Sequence, residues 1–600
     1  MPSSRRLVRN ARLLLQSGIQ HLVDDPALLV VQVSRRIPVS ARVWSGKAMQ
    51  TIGTRVLGGG GVAALGAYMA GDSAVAEQLV ADPRVTKSRL GGEVAVLLDR
   101  TDLISQENHA TTRARAAWIR GDLSRALEIL ETAGRGGSHY ALRLRSELQL
   151  LRPGYGLLVV KKQSPRVPLQ PADGGTRVLH LVTNSLPHTQ SGYSLRTHRI
   201  LTALREQGIV SAVLTRTGYP VMVGCPGADD IDVVDGIRYL RTLPDRLGAT
   251  PEARLNQEVQ RALDVIEEFQ PHLIHTTTDY RNALVAQAVS AAAGIPWVLE
   301  VRGLMEQTWI ASHRTAKART AAAGSEKARL VAAREAELAR DAHGIATLSA
   351  TMADELASRG VDSSRITFVP NGVDAGLLSD HLDPQGARRH LGIGRPDAFV
   401  VGAVSALVDY EGLDILLRAA AQLLDDERAS ADLRERLHVL IAGDGASAPR
   451  LAALAKELGI SDRLLMPGRV QRGDARHWVQ ALDVVTVPRL DREVSRSVTP
   501  QKPVEAMALA RPLIISDLPA LREVCTRTDG VECALAVPAD DPGALASAIA
   551  ALHADPKEAQ VLVDSGLKAA AERTWPAIVR QYDSLYAAAA ARHQEVLVRG

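Results

Sequence analysis

Length, composition and charge limit what this chain can be. It has 600 residues, 46% of them apolar, 23% charged and 3% aromatic, and a net charge of +4. This length predicts several domains, and the apolar content excludes a disordered or fibrous class. Three cysteines, Cys225, Cys525 and Cys533, show neither disulfide-framework nor metal-ligand spacing, which predicts a reducing, cytoplasmic setting.

The first 60 residues hold most of the positive charge. Nine Lys and Arg residues oppose Asp24 and Asp25 there, an excess of +7 that leaves −3 for the remainder. Apolar residues recur at helical spacing from Arg5 to Val23, with arginines on another face, which predicts a basic amphipathic helix. Such a helix either lies on an anionic membrane surface or packs on its own domain with a solvated basic face. No apolar run is long enough to span a membrane, and we expect no cleaved signal peptide.

Residues 1–160 are predicted to form a helical region. In segments 67–76 and 117–126, the end of a helix contains a small residue followed by an aromatic residue. A Gly-Asp pair and the start of a second helix come after it. The pattern is similar to that of tetratricopeptide-type hairpins, which bury their faces by stacking. An adaptor, a membrane-docking module and a plain helical extension all remain open.

Two α/β domains are predicted after a linker at 161–176. In 177–385, apolar strands are expected at 178–182, 210–216, 273–278, 297–302, 344–349 and 366–370. In 386–573, strands are expected at 399–405, 438–442, 464–467, 484–488, 513–516 and 534–537, and a C-terminal helix follows in 574–600. Buried strands alternating with helices predict two doubly wound, Rossmann-like domains facing a cleft. Neither a G-x-G-x-x-G turn nor a P-loop motif occurs, which disfavours dinucleotide oxidoreductases and P-loop nucleotidases.

Segment 497–517 contains the strongest candidate for a ligand-binding site. Thr499, Lys502 and Pro503 lead into a short helix with Glu505 in its first turn, and proline suits the first helical position. Free backbone N–H groups, a helix start and a lysine at one point form a site for a diphosphate, with Glu505 placed to accept bonds from sugar hydroxyls. The alternative is that Glu505 only complements the helix dipole and Lys502 is solvated.

Several separate segments, in order, point to one family. They are Gly192-Tyr193-Ser194-Leu195-Arg196-Thr197, His275 with Tyr280-Arg281-Asn282, Glu300-Val301-Arg302-Gly303-Leu304, Val369-Pro370-Asn371-Gly372-Val373-Asp374, Ile441-Ala442-Gly443-Asp444-Gly445, Pro467-Gly468-Arg469-Val470, Asp483-Val484-Val485, Lys502-Pro503-Val504-Glu505-Ala506-Met507-Ala508 and Ile515-Ser516-Asp517. Over about 178–586 the chain resembles glycosyltransferase family 4, the retaining, two-domain GT-B enzymes that use nucleotide sugars.

The resemblance implies roles for individual residues. Arg469 and Val470 would line the nucleobase pocket, Glu505 would hold the ribose, and Gly443 and Gly445 would let backbone approach the ligand. The rest of the implied donor loop is Ser497, Val498, Thr499, Pro500 and Gln501. On the other domain, Gly192 would begin the loop facing the sugar phosphates and the acceptor, with Tyr193 next in that loop.

The chain departs from the family pattern at two donor positions. Ser497 stands where many members have the first acid of a Glu-x₇-Glu pair, and segment 406–412 lacks the Arg and Lys of the usual phosphate clamp. A departing diphosphate still needs positive charge. We infer that Arg489 and Lys502 supply it and that backbone N–H groups of 498–501 replace the missing acid.

A third departure concerns the reacting sugar. Arg302 stands where many relatives have a histidine, and Glu300 would orient it by a bidentate pair that serves either the acceptor phosphate or the donor sugar. A structural Glu-Arg pair is the alternative. His275 is the remaining histidine candidate for catalysis, and a hydrogen-bonded structural role is equally open.

These observations predict a metal-independent, retaining transferase that moves a sugar from a nucleotide-diphosphate donor to a glycan or lipid-linked acceptor. Cell-surface polysaccharide or glycolipid assembly is the implied setting, in the cytoplasm or peripherally on the inner face of the membrane, without nucleic acid. One alternative is a non-catalytic nucleotide-sugar sensor that acts through the helical region. Another is a phosphorolytic or sugar-phosphate-synthesising enzyme of the same fold.

Overall fold

The computed structural model describes residues 4–24, 26–34, 39–56, 59–159 and 175–599. The predicted linker prolines, Pro165, Pro168 and Pro171, lie outside the described residues. The chain forms two compact units, of which the first comprises residues 1–198, 208–299 and 305–342. The second comprises residues 199–207, 300–304 and 343–600.

The N-terminal region contains no strand among its described residues, as predicted. Its helices are α1 Ser4–Asp24, α2 Pro26–Ser34, α3 Val39–Arg55, α4 Gly60–Ala70, α5 Ser73–Val80, α6 Pro83–Lys87, α7 Arg89–Leu97, α8 Ala110–Arg120, α9 Leu123–Thr132 and α10 His139–Leu150. Gly71 and Gly121 end α4 and α8 in the left-handed conformation, with φ of 86° and 88°. Glycine adopts this conformation without a steric penalty, which explains why both hairpins turn at Gly-Asp.

Helix α1 packs on the first unit by one face. Leu13 is fully buried in a cluster with Val221 and Leu247, and the Asn10 amide donates to the carbonyls of Pro226 and Ala228 at 2.9 and 3.0 Å. Of the two alternatives for this helix, packing on its own domain is therefore realised for this face.

The turn of the second hairpin also packs within the first unit. Lys327 N–H donates to the Gly121 carbonyl at 3.0 Å, and Ser124 Oγ donates to Glu326 at 2.6 Å. A Cβ added to Gly121 would lie 2.3 Å from Ser325 Oγ. A larger residue at Gly121 would therefore clash with the side chains of Ser325 and Trp309, and its positive φ also favours glycine.

The first sheet has eight strands in the order β3-β4-β2-β1-β5-β6-β7-β8. Its elements are β1 Arg177–Val182, α11 Gly192–Glu206, β2 Val210–Thr215, β3 Ile231–Val234, β4 Ile237–Leu240, α12 Pro251–Phe269, β5 Leu273–Thr277, α13 Tyr280–Ala293, β6 Trp297–Val301, α14 Met305–Ala311, α15 Ala316–Ala323, α16 Glu326–Asp341, β7 Gly344–Thr347, α17 Ala350–Ser358 and β8 Ile366–Phe368. All six predicted strands of this domain form. The antiparallel hairpin β3–β4 was not predicted.

The second sheet has six strands in the order β11-β10-β9-β12-β13-β14, and its ladders are parallel. Its elements are α18 Pro384–His390, β9 Phe399–Val404, α19 Leu413–Asp425, α20 Ala431–Arg436, β10 Leu437–Ala442, α21 Ala448–Glu457, β11 Leu464–Gly468, α22 Ala475–Gln480, β12 Val484–Val487, α23 Glu493–Ser497, α24 Lys502–Ala508, β13 Leu513–Ser516, α25 Pro519–Cys525, β14 Leu535–Val537, α26 Pro542–Ala554, α27 Pro556–Ala571, α28 Trp575–Ile578 and α29 Arg580–Arg599. Successive strand residues such as Val400 and Val401 enter separate cores on the two faces. This arrangement matches the predicted doubly wound domain.

Candidate functional site

Two glycines bring the loops after β9 and β10 together at the carboxyl edge of the second sheet. Gly443 has φ of 142°, and a Cβ there would lie 1.7 Å from the Ser405 carbonyl oxygen. A Cβ at Gly445 would lie 2.2 Å from the Leu407 carbonyl oxygen. Gly443 and Gly445, which the sequence assigns to the donor site, are therefore needed for the close contact between these two loops.

A buried carboxylate, Glu411, joins the two cations that the sequence proposes for the leaving group. Arg489 Nη2 lies 3.0 Å from Glu411 Oε1, and Lys502 Nζ forms an ion pair with Glu411 Oε2. Lys502 Nζ also donates to Ser405 Oγ at 2.7 Å, and Arg489 Nη1 donates to the Val498 carbonyl at 2.8 Å. These residues come from three segments at the same sheet edge: the loop after β9, the loop after β12 and the segment from α23 to the start of α24.

The electrostatics of this cluster favour an additional anion. Burial opposes ionisation of Glu411, but Arg489 and Lys502 outweigh burial and lower its pKa to about 2. Glu411 is thus ionised at neutral pH. Burial lowers the pKa of Lys502, which Glu411 partly offsets. With both cations charged, the three side chains carry a net charge of +1, and an anionic ligand would relieve the repulsion between Arg489 and Lys502.

Internal hydrogen bonds hold the loop 497–501 in place. The Asn371 amide donates to the Thr499 carbonyl at 3.0 Å, and the Gln501 amide donates to the Gly372 carbonyl. Ser497 Oγ donates to the Glu493 carbonyl at 3.0 Å, and Val498 N–H donates to the Val494 carbonyl at 3.1 Å.

These contacts change what the loop can offer a ligand. Val498 N–H is already used, and Pro500 has no N–H, so only Thr499 and Gln501 remain from the backbone donors inferred from the sequence. Thr499 is 5% exposed, and its Oγ1 has no hydrogen-bond partner among the described residues. A buried hydroxyl is normally paired, which makes Thr499 a candidate ligand contact.

The remaining donor candidates differ in exposure. Glu505, in the first turn of α24, lies 3.8 Å from Arg199 Nη1, and burial raises its pKa. Arg469 has an 83% exposed side chain 3.5 Å from Asp444, and Val470 is half-buried. The Arg469 side chain is therefore mostly in solvent, next to Asp444.

On the acceptor side, Gly192 is the first residue of α11, and Ser191 Oγ accepts from Ser194 N–H at 3.2 Å as the cap. A Cβ at Gly192 would meet no atom within 4 Å, so packing in the ligand-free protein does not require glycine at this position. Tyr193 is 59% exposed. Both residues border open space.

The catalytic candidates Arg302 and His275, and the acceptor candidate Glu300, are buried. Arg302 Nη2 lies 2.8 Å from Glu300 Oε2, and their side chains are 4% and 0% exposed. His275 is the middle residue of β5 and is 1% exposed, with its ring 4.9 Å from that of His180 on β1. The structure thus places His275 within the sheet layer instead of at the strand end.

A cavity of about 150 Å³ lies where the helical region meets the loops that follow β5 and β6. Trp118 and Glu147 line it from α8 and α10, together with Arg281, Trp309 and Lys327. Glu147 accepts from Tyr280 Oη at 2.7 Å and pairs with Arg281. Lys327 Nζ lies 4.3 Å from the centroid of the Trp309 ring, and burial lowers its pKa to about 8.

Four residues described above were not predicted to have a role: Glu411, Ser405, Asn371 and Glu147. Glu411 lies in the loop between β9 and α19, at the edge of the sheet where ligands bind, but no sequence pattern pairs it with Arg489 or Lys502. No sequence signal links Glu147 to Arg281.

Two family models match the chain. The Glycosyl transferase 4-like domain matches residues 191–372, and the Glycosyl transferases group 1 domain matches residues 397–555. A D-inositol 3-phosphate glycosyltransferase of Geodermatophilus obscurus is 34% identical over 244 residues, which are 40% of this chain and 50% of the relative. A D-inositol 3-phosphate glycosyltransferase of Catenulispora acidiphila is 32% identical over 248 residues, 40% and 56% of the two chains. The chain spans about half the length of these relatives.

Solved structures show a similar fold. Sucrose-phosphate synthase from Thermosynechococcus elongatus superposes with a TM-score of 0.55 at 19% identity, covering 71% of this chain and all of that chain. Anabaena HepE in complex with UDP gives a TM-score of 0.50 at 16% identity, covering 68% of this chain and 99% of that one.

Proposed function

For a chain that belongs to the family 4 glycosyltransferases of GT-B fold, we propose that it transfers a sugar from a nucleoside diphosphate sugar to a hydroxyl of a glycan or lipid-linked acceptor, with retention of configuration. The observation that carries this proposal is the buried cluster of Arg489, Lys502 and Glu411 at the carboxyl edge of the second sheet. That edge is where open α/β sheets bind ligands.

The cluster would act on the departing diphosphate. As the bond from the anomeric carbon to the diphosphate breaks, negative charge grows on the phosphate oxygens, and fixed cations stabilise it. Arg489 is already held by Glu411 and the Val498 carbonyl, so little reorganisation is needed. Ser405 Oγ and Thr499 Oγ1 would supply neutral hydrogen bonds, and Glu505 would hold the ribose.

We propose that the transfer step uses no metal ion. Arg489 and Lys502 keep a net charge of +1 beside Glu411 and would stabilise the diphosphate where other enzymes use a divalent cation. Chelation should then leave the initial rate of transfer unchanged.

The acceptor would bind at the first sheet. Open space beside Gly192 and Tyr193 leaves room for it. The cavity lined by Glu147, Arg281 and Lys327 combines tryptophan faces with charged hydrogen-bonding groups, a combination suited to a polyol or sugar unit. The helical region would then help to select the acceptor.

A lipid-linked acceptor is favoured by the free face of α1. Val8, Leu15, Ile19 and Leu22 are 60%, 64%, 51% and 57% exposed, and their spacing places them in one stripe. Exposed arginines, Arg5 and Arg12, flank it. Such a stripe with basic flanks fits the surface of an anionic bilayer. Among the described residues no helix is long and apolar enough to cross a membrane.

The proposal is tested with the purified full chain and a panel of UDP, GDP, ADP and dTDP sugars. A ligand that binds the folded state raises the melting temperature by mass action. The stabilising donor is then incubated with D-inositol 3-phosphate and with lipid-linked sugars, and product is followed by mass spectrometry. We expect stabilisation by one base class and transfer to an acceptor hydroxyl.

Two results would count against the proposal. If no nucleoside diphosphate or nucleotide sugar shifts the melting temperature, the donor site is wrong. If sugar phosphate forms only when inorganic phosphate is added, the enzyme is phosphorolytic instead.

A further inference from the structure

Two histidines and an aspartate meet outside the donor cluster. His390 is the last residue of α18, Asp474 ends a short 3₁₀ turn, and His477 lies in α22. One possible ligand atom from each residue lies within 4.8 Å of the other two. Asp474 and His477 are three positions apart, which puts their side chains on one face.

His477 is buried, with 9% of its surface exposed, and has a ring nitrogen, Nδ1, without a hydrogen-bond partner among the described residues. The closest carboxylate oxygen, Asp474 Oδ1, lies 3.9 Å away, too far for a hydrogen bond. The ring of His390 lies 4.2 Å from that of His477, centroid to centroid.

We propose that His390, Asp474 and His477 bind one late first-row divalent cation of the Zn²⁺ type. Two imidazole nitrogens and a carboxylate oxygen are a usual ligand set for such ions, whereas Mg²⁺ and Ca²⁺ prefer oxygen ligands. Water would complete the coordination, because His390 is exposed.

Binding requires a small inward movement. Metal–ligand bonds of about 2.0–2.2 Å bring ligand atoms closer together than in the free arrangement. His390 can supply this movement, since its ring is exposed at a helix end. The bound ion would join α18 to α22 on one face of the second sheet and stabilise the folded state.

The test uses the full chain after removal of metal with EDTA and dialysis. Zn²⁺ alone is titrated in by calorimetry, with Mg²⁺ as the comparison, and melting temperatures are measured with and without each ion. We expect one equivalent of Zn²⁺ to bind and raise the melting temperature, and Mg²⁺ to do neither. Co²⁺ should give the visible absorption of a low-symmetry nitrogen and oxygen site.

Variants distinguish Zn²⁺ binding at this site from Zn²⁺ binding at other histidines of the chain. His390→Ala changes an exposed residue and should keep the fold while weakening Zn²⁺ at least 10-fold, and Asp474→Asn and His477→Gln should do the same. His553→Gln is the matched control, because His553 pairs with Asp432 but belongs to no metal-ligand group among the described residues. This variant should bind Zn²⁺ as the parent does. Zn²⁺ affinity unchanged by His390→Ala, or absent from the parent, would overturn the proposal.

Discussion

Arg489 and Glu411, 78 positions apart in the chain, form an ion pair with Nη2 3.0 Å from Oε1 and side chains only 6% and 7% exposed. A buried pair is costly to assemble, so its main effect is to fix geometry. It holds the guanidinium at the sheet edge before any donor arrives. Lys502, on the same carboxylate, is held at the same point.

Replacing Lys502 should impair chemistry more than folding. Lys502→Met removes one cation from the proposed diphosphate site, and loss of one preorganised stabilising group lowers kcat by roughly 100-fold or more. The measurement is the initial rate of sugar transfer with whichever nucleotide sugar of the panel stabilises the parent. Lys456→Met, at an exposed position on α21, is the control. Near-parental turnover of a folded Lys502→Met protein would exclude the proposed role.

Replacing Glu411 should destabilise the ligand-free protein. Glu411→Gln leaves the buried Arg489 and the half-buried Lys502 without their anion, and breaking such a buried pair costs about 3–5 kcal/mol. A bound nucleoside diphosphate restores negative charge, so it should stabilise the variant more than the parent. Thermal unfolding with and without the diphosphate tests this, and Glu435→Gln on the surface should behave as the parent.

The same pair predicts a pH dependence. The carboxyl pKa is about 2 in the folded protein against 4.5 for the free group. Its stabilisation is therefore complete above about pH 4.5 and is lost as the pH falls through 2. The difference in free energy of unfolding between parent and Glu411→Gln should shrink across that window. A difference independent of pH would contradict the ion pair.

Charge on the apolar stripe of α1 should abolish membrane binding. The double variant Leu15→Glu and Ile19→Glu places carboxylates against anionic lipid, and we expect at least 10-fold weaker partition onto vesicles containing phosphatidylglycerol in sedimentation. Leu142→Glu, at a 44% exposed leucine of α10, is the matched control. Equal binding by the double variant and the parent would rule out α1 as the contact.

Lys327 should make the stability of the protein depend on pH in the alkaline range. Its pKa is about 8 in the folded protein and 10.5 for the free group, so folding disfavours the charged form. That cost disappears between about pH 8 and 10.5, and the parent should gain stability relative to Lys327→Met over this window. Denaturant unfolding at stepped pH measures it, with exposed Lys317→Met as the control. A flat difference would show that Lys327 is solvated.

The strands were predictable because parallel strands buried on both faces read as apolar runs, and all twelve predicted strands form. The hairpin β3–β4 was missed because Ile231–Val234 alternates in exposure instead. Its signal was present in the Asp235-Gly236 turn, where both residues have positive φ of 48° and 76°. An edge hairpin with one exposed face lacks the continuous apolar run that marks the buried parallel strands.

The site was predictable only in part. Arg489 and Lys502 could be inferred because a diphosphate needs cations, but the carboxylate between them becomes visible only when distant loops meet. Val498 shows the opposite case, since its N–H seemed available from the sequence and is in fact bonded to Val494. The number of backbone N–H groups available to a ligand depends on the local turn conformation, which the sequence does not show.

The glycine turn at Gly121 bears on how the protein unfolds. Its carbonyl accepts from Lys327 N–H, and a Cβ at this position would clash with the Ser325 side chain. Unfolding the α8–α9 hairpin therefore strips hydrogen bonds from the start of α16 as well. In calorimetry the hairpins and the first sheet should melt in one cooperative transition, so the helical region would not persist as a separately folded appendage.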